Sequence, residues 1–246
     1  MKKSPFEIIS NELIAKNTYR MRLLGDTSAI SAAGQFVNIE LPGFFLRRPI
    51  SVCDADGDVL TLIYKVVGTG TEFMSELLPG QSLDLLTGLG NGFDISGEFK
   101  RPMLLGGGAG AAPLYLLAKK LCETGKTPSV VLGFNSADEV FLSRDFASLG
   151  CETIITTADG STGIKGFAPD GAAVFHTMPD YIFCCGPKPM LRAVYDAFDL
   201  PGQYSFEERM GCGFGACMGC SMMTSEGAKR VCRDGPVFKR EVLIWD

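Results

Sequence analysis

The chain has 246 residues but only one histidine, His176, and no excess of positive charge. It also has no stretch approaching the roughly 18 apolar residues of a membrane span. Each shortage excludes something. Lys and Arg number 23 against 28 Asp and Glu, for a net charge of −5. Phosphate-backbone binding needs a basic face, so nucleic acid is not an expected partner. His176 sits before Thr177-Met178-Pro179 in loop-like sequence and reads as structural. No other group is placed for general acid–base work on a substrate. Lys2 and Lys3 are followed by Glu7, Asn11 and Glu12 rather than an apolar segment, so a secretory signal is not expected. Internal repeats and low-complexity tracts are missing too. What is left is 46% hydrophobic and 21% charged residues, ordinary for a soluble globular protein. The length accommodates two compact domains and a small module.

Cysteine is plentiful, at nine residues. Without a sign of export, a cytoplasmic location is expected, where cysteines are metal ligands or buried thiols rather than disulfides. Cys53, Cys122 and Cys151 read as small buried hydrophobes. Cys212, Cys217, Cys220 and Cys232 are separated by four, two and eleven residues. The first three follow the plant-type C-x4-C-x2-C spacing with a later fourth cysteine, a pattern that points to a [2Fe–2S] cluster. Gly211, Gly213, Gly215 and Gly219 surround them, as a tight loop with N–H groups aimed at sulfur requires. A zinc site would usually bring two C-x2-C knuckles, and only one is present.

Taken in order, the chain divides into three parts, a multi-domain α+β protein. Residues 1–99 read as a small antiparallel β-barrel. Tyr19–Leu24, Gln35–Leu41, Ile50–Cys53 and Val59–Val67 are short, partly alternating runs separated by turn residues. Residues 100–198 read as a parallel-sheet α/β domain. Pro102–Gly106, Ser129–Phe134, Cys151–Thr157 and Tyr181–Cys185 are strand-like and alternate with helical patterns. Residues 199–246 hold the cysteine module, with a final strand expected at Glu241–Trp245.

Two motifs lie in the first part. Arg48-Pro49-Ile50-Ser51 joins a guanidinium, a fixed-φ proline and a hydroxyl at a strand start, able to hold a phosphate. Tyr64-Lys65-Val66-Val67-Gly68-Thr69-Gly70-Thr71 ends a strand in a glycine-rich turn able to cradle a pyrophosphate. In the second part, the strand at Pro102 runs into Gly106-Gly107-Gly108-Ala109-Gly110 and a helix with Leu114, Leu117, Ala118 and Leu121 on one face. Strand, glycine turn and helix N-terminus make an anion site for a dinucleotide. The strand at Tyr181 ends in Cys184-Cys185-Gly186-Pro187, at a carboxyl edge where open α/β sheets bind ligands. Cys184 is expected in the core. Asp159 and Asp138 are the candidates for holding a ribose, and without an arginine cluster for a 2′-phosphate NAD is favoured over NADP.

Arg48-Pro-Ile-Ser with Tyr64-x-Val-x-Gly-x-Gly-Thr resembles the flavin domain of the ferredoxin–NADP reductase superfamily. The resemblance implies FAD against Arg48, Pro49, Ile50, Ser51, Ile63, Tyr64, Lys65, Gly70 and Thr71. It also implies NAD against Gly106, Gly107, Gly108, Gly110, Cys185, Gly186 and Pro187, with Cys185 beside the nicotinamide. Adding Glu208-Arg-Met-Gly-Cys-Gly-x-Gly-Ala-Cys-x-x-Cys and Val231-Cys-x-Asp-Gly-Pro-Val-Phe, the chain resembles the electron-transfer subunits of type 1B dihydroorotate dehydrogenases. That resemblance implies one [2Fe–2S] cluster on Cys212, Cys217, Cys220 and Cys232. It further implies a heterotetramer of two such subunits with two FMN-containing catalytic subunits, passing electrons from dihydroorotate to NAD+ in pyrimidine biosynthesis. One alternative is the flavin subunit of another NAD(P)H-linked ferredoxin or sulfide oxidoreductase, though such relatives often carry aspartate for one cluster cysteine. The other is a non-enzymatic redox sensor, which would not need both the flavin motif and Cys185-Gly-Pro.

Overall fold

The computed structural model describes residues 1–245. Its first part is a closed antiparallel barrel of β1 (Lys2–Ala15), β2 (Thr18–Gly25), β3 (Phe36–Glu40), β4 (Arg48–Asp56), β5 (Val59–Lys65) and β6 (Ser82–Leu89). A helix, α1 (Thr69–Ser75), lies between β5 and β6. The strand order is β1-β2-β5-β4-β3-β6. In β6, Leu83, Leu85, Thr87 and Leu89 are buried while their neighbours are not, the period of two that closure around a core requires. Strands β1 and β6 lie outside the sequence reading. Only Phe6 and Ile8 of β1's fourteen residues are fully buried, too weak an alternation to stand out. The turn expected after β5 becomes α1. Thr71 Oγ1 accepts from the N–H groups of Val67 at 2.9 Å and Gly68 at 3.2 Å, which starts a helix there.

The second sheet has seven strands. They are β7 (Pro102–Gly107), β8 (Ser129–Phe134), β9 (Thr153–Thr157), β10 (Ile164–Lys165), β11 (Tyr181–Cys185), β12 (Gly202–Ser205) and β15 (Val237–Lys239), in the order β10-β9-β8-β7-β11-β12-β15. All pairs are parallel except β12 with β15. Helices α2 (Ala111–Glu123), α3 (Ser143–Ser148), α4 (Ala168–Ala172) and α5 (Lys188–Ala197) connect the strands. The hairpin β13 (Ser221–Thr224) and β14 (Gly227–Arg230) leads into α6 (Val231–Asp234). Strands β12 and β15 fall within 199–246, so the cysteine loop hangs from the edge of the α/β sheet. The strand expected at Glu241–Trp245 is instead a 3₁₀ turn, Arg240–Val242. Arg240 donates to the Tyr195 carbonyl at 2.8 Å and only Leu243 bridges to Thr224, which leaves no room for a ladder.

One apolar core runs through both large parts. It holds Phe6, Val37, Leu60 and Leu62 of the barrel together with Leu104, Leu117, Val130 and Phe146 of the α/β unit. Ion pairs cross the same boundary: Lys16–Asp138 at 2.9 Å, Arg20–Asp145 at 3.1 Å and Lys119–Asp54 at 3.2 Å. Such pairs contribute at most about 1 kcal/mol each, so burial does most of the joining. Phe183 on β11 anchors the connecting segment. It is fully buried and meets Phe93 and Phe99 edge-on, with centroids 5.7 and 5.4 Å away. Phe183→Ala should therefore destabilise the fold by about 3–5 kcal/mol, read as a lowered midpoint in chemical denaturation.

Candidate functional site

Two clefts open at the carboxyl edge of the sheet. The first, of about 390 Å³, lies between barrel and sheet. Its barrel wall is Arg48, Pro49, Ile50 and Ser51 of β4 with Ile63, Tyr64 and Lys65 of β5, and Thr71 closes one end. The opposite wall includes Cys185, Ser205, Glu207 and Met210. All the residues expected to hold FAD line this cleft except Gly70. A side chain at Gly70 would run into the Arg48 guanidinium, so its bareness lets Arg48 lie across the start of α1. Arg48 is held by the Leu46 carbonyl and by the Phe44 ring, 4.9 Å from its centroid. Tyr64 contributes wall rather than ring. It is 2% exposed, stacked on Tyr19 and donating to Asn11 Oδ1 at 2.9 Å.

The second cleft, of about 460 Å³, runs over the glycine turn. Gly107, Gly108, Gly110 and Pro187 line it. Gly106, Cys185 and Gly186 do not line it: Cys185 lines the first cleft, and Gly186 packs against Gly107. Gly110 approaches the Cys185 carbonyl so closely that a Cβ would strike it, which brings the ends of β7 and β11 together. Neither ribose candidate reaches the cleft wall. Asp138 pairs with Lys16, and Asp159 accepts from Ser161 N and Oγ at 2.9 and 2.6 Å. Glu139 lines it instead. Partial burial works against its charge, but Lys65 Nζ at 2.8 Å and Asn135 Nδ2 at 2.9 Å outweigh that and lower its pKa. The available signal was a carboxylate shortly after the second strand of a βαβ unit.

The two clefts share Lys65, Val67, Ala109 and Glu207. Cys185, beside this shared wall, is 2% exposed. Burial first and Glu207 second push its thiol up to about 12, so it stays protonated near neutral pH. Glu207 keeps solvent contact, but partial desolvation in the cleft raises its pKa as well. Cys184 points into the core, and burial pushes its thiol well up. Cys53 and Cys151 are buried as expected, Cys122 is half-buried, and His176 is exposed in a loop away from both clefts.

The four remaining cysteines form two pairs. Cys212 N–H donates to Cys217 Sγ at 3.4 Å, and Cys232 N–H donates to Cys220 Sγ at 3.4 Å. Ala216 N–H adds a donor to Cys212 Sγ at 3.2 Å. Partial burial opposes the Cys212 thiolate, but N–H groups of Phe214, Cys217 and Ala216 outweigh it and hold the thiol at about 6. Among the described residues no three His, Cys, Asp or Glu side chains gather around a point for a single ion. Two thiol pairs with N–H groups on sulfur fit a two-iron cluster, in which each iron takes two thiolates.

A family model described as the iron-sulfur cluster binding domain of dihydroorotate dehydrogenase B matches residues 207–244. The chain is 44% identical over 259 aligned positions to the dihydroorotate dehydrogenase B (NAD(+)) electron transfer subunit of Geobacillus sp. (strain WCH70), covering 99% of each chain. It is 40% identical to the protein of that name from Fusobacterium nucleatum, with 97% of each covered. A solved NADH-dependent reduced ferredoxin–NADP oxidoreductase superposes with a TM-score of 0.89 at 30% identity, over 98% of this chain and 90% of that one. Phthalate dioxygenase reductase superposes at 0.67 with 20% identity over 79% of this chain and 64% of its own, a likeness of fold.

Arg48→Ala is expected to weaken FAD binding by about 1.5–3 kcal/mol, roughly ten- to hundredfold, in a titration of flavin-free protein. Cys217→Ser should abolish the [2Fe–2S] absorbance and leave FAD bound, with NADH still oxidised by a dye that takes electrons from flavin directly. Loss of FAD in the same variant would contradict a modular site.

Proposed function

The chain belongs to the family of electron transfer subunits of dihydroorotate dehydrogenase B, and on that premise we propose how its residues carry electrons from a catalytic partner subunit to NAD+. The observation that carries the reading is the common wall of the two clefts, Lys65, Val67, Ala109 and Glu207. Two ligands in those clefts meet at that wall. Bound there, FAD exchanges electron pairs with nicotinamide and single electrons with a [2Fe–2S] cluster.

The chain's own residues orient and insulate. Arg48 and the start of α1 take the flavin phosphates, and Ile50, Ile63 and Phe36 supply the apolar wall. The turn Gly107–Gly110, feeding the N-terminus of α2, takes the dinucleotide pyrophosphate. Cys185 places a neutral thiol next to its register partner Ser205, leaving no charge of its own at the junction. The Glu207 carboxyl keeps solvent contact where the clefts join, and desolvation there raises its pKa. Lys65 is the single basic side chain of the nucleotide cleft and is already paired with Glu139. An ionised Glu139 repels a 2′-phosphate, which favours NAD over NADP. Cys212, Cys217, Cys220 and Cys232 would hold the cluster, which would supply one-electron transfer.

Phe214 and Met218 on the cysteine loop and Met223 on the following hairpin are exposed, an apolar face of the kind a partner covers. That face receives the FMN-containing catalytic subunit, two copies of each chain forming the heterotetramer. No helix among the described residues is long and apolar enough to cross a membrane. The free thiols of Cys53, Cys122 and Cys151 support a reducing, cytoplasmic setting.

The test is to purify the chain with whatever accompanies it at near-equal amount and to supply dihydroorotate and NAD+. The expected result is an FMN-bearing partner and dihydroorotate-driven NADH formation. NADH oxidation without a partner or that activity would move the assignment to a ferredoxin-linked enzyme, the kind represented by the superposed oxidoreductase.

A further inference from the structure

Asn38 on β3 is 1% exposed, and its side-chain amide is only half satisfied. Its Nδ2 donates to the Cys212 carbonyl at 3.1 Å, while Oδ1 has no partner. Turning the amide over would set oxygen against oxygen. A buried acceptor left alone costs stability, so an apolar side chain of similar shape would serve stability better. The loop comes as near to Asn38 as backbone allows. Gly213 has φ +77°, and a Cβ there would strike Asn38 Nδ2.

The alternation of β3 explains the placement. Val37 and Ile39 fill the barrel core, which turns Phe36 and Asn38 to the opposite face. Phe36 lines the flavin cleft and packs in one apolar cluster with Cys220 and Cys232. Asn38 grips the peptide of Cys212. In register, Phe36 stands opposite Ser51 and Asn38 opposite Pro49, both in the flavin wall. One face of one strand therefore bonds the Cys212 peptide and shares an apolar cluster with Cys220 and Cys232, and its neighbour β4 lines the cleft.

Resting on the assignment of these cysteines as cluster ligands, we propose that Asn38 is a positioning residue that locks the Cys212 ligand loop onto the flavin-bearing strands and so sets cluster geometry and cluster-to-flavin electron transfer. The step served is a one-electron transfer in which the reduced cluster is oxidised and FAD reduced. Two such transfers with one proton from solvent supply what NAD+ takes up as hydride. Asn38 itself gains and loses nothing.

Asn38→Leu keeps the number and branching of side-chain heavy atoms and removes both polar ones. It is compared with the parent in the complex purified with its partner and reconstituted with FAD and iron–sulfur. Three readouts are the electron paramagnetic resonance spectrum of the reduced cluster, its midpoint potential, and the stopped-flow rate of electron passage from cluster to flavin. The expected result is stoichiometric FAD, shifted g-values and potential, and transfer slowed roughly tenfold or more. Gly213→Ala, which pushes Asn38 off Cys212 from the other side, should give the same signature and serves if the leucine variant does not fold. A cluster signal in the parent with unchanged spectrum, potential and rate in the variants overturns the proposal. So does joint loss of FAD and cluster, which would make β3 merely a barrel strand. A parent without any [2Fe–2S] signal overturns the ligand assignment itself.

Discussion

Helix α2 packs its apolar face, Leu114, Leu117 and Leu121, into the same core as Val52 and Leu60 of the barrel. Everything functional in this protein depends on that shared burial. A fully buried leucine contributes about 1.5–3 kcal/mol, several times an ion pair at the boundary. The barrel and the α/β sheet are therefore held as neighbours, and the end of β5 faces the ends of β7 and β11. Two clefts that would be separate sites on separate domains acquire one wall.

Electrostatics at that wall are arranged by the same burial. Lys65 is neutralised by Glu139, and Cys185 is kept as a thiol. Apart from Glu207, the wall shared by the two clefts therefore carries little net charge of its own. Charge is instead placed outward, at Arg48 on one side and at the helix N-terminus on the other, where phosphates belong.

The cysteine module follows a different rule. It has little core of its own and borrows one, with Cys220, Cys232 and Val231 packed among Phe36, Leu89 and Phe238. Cys217 is exposed and Cys212 half-buried, next to the exposed Phe214 and Met218. One side of the loop thus packs toward the cleft that Phe36 lines, and the other is open.

By itself the sequence determined the chemistry that short segments can carry. The spacing of Cys212, Cys217 and Cys220 reads directly because ligands on one loop must be close in sequence. Arg48-Pro-Ile-Ser and the glycine run before α2 read for the same reason, since each builds its anion site from consecutive residues. The barrel and the alternating sheet were visible in their periodicities, apart from β1, β6 and the short strands β10, β12 and β15. Tertiary structure alone decided what these segments face. Glu139 rather than Asp138 or Asp159 lines the nucleotide cleft because Lys16 and Ser161 occupy the other two carboxylates. Strands β12 and β15 join the α/β sheet, and Asn38 meets Cys212, through contacts between residues far apart in the chain. Such pairings depend on which way a strand alternates and where a helix packs, and neither is written at any single position.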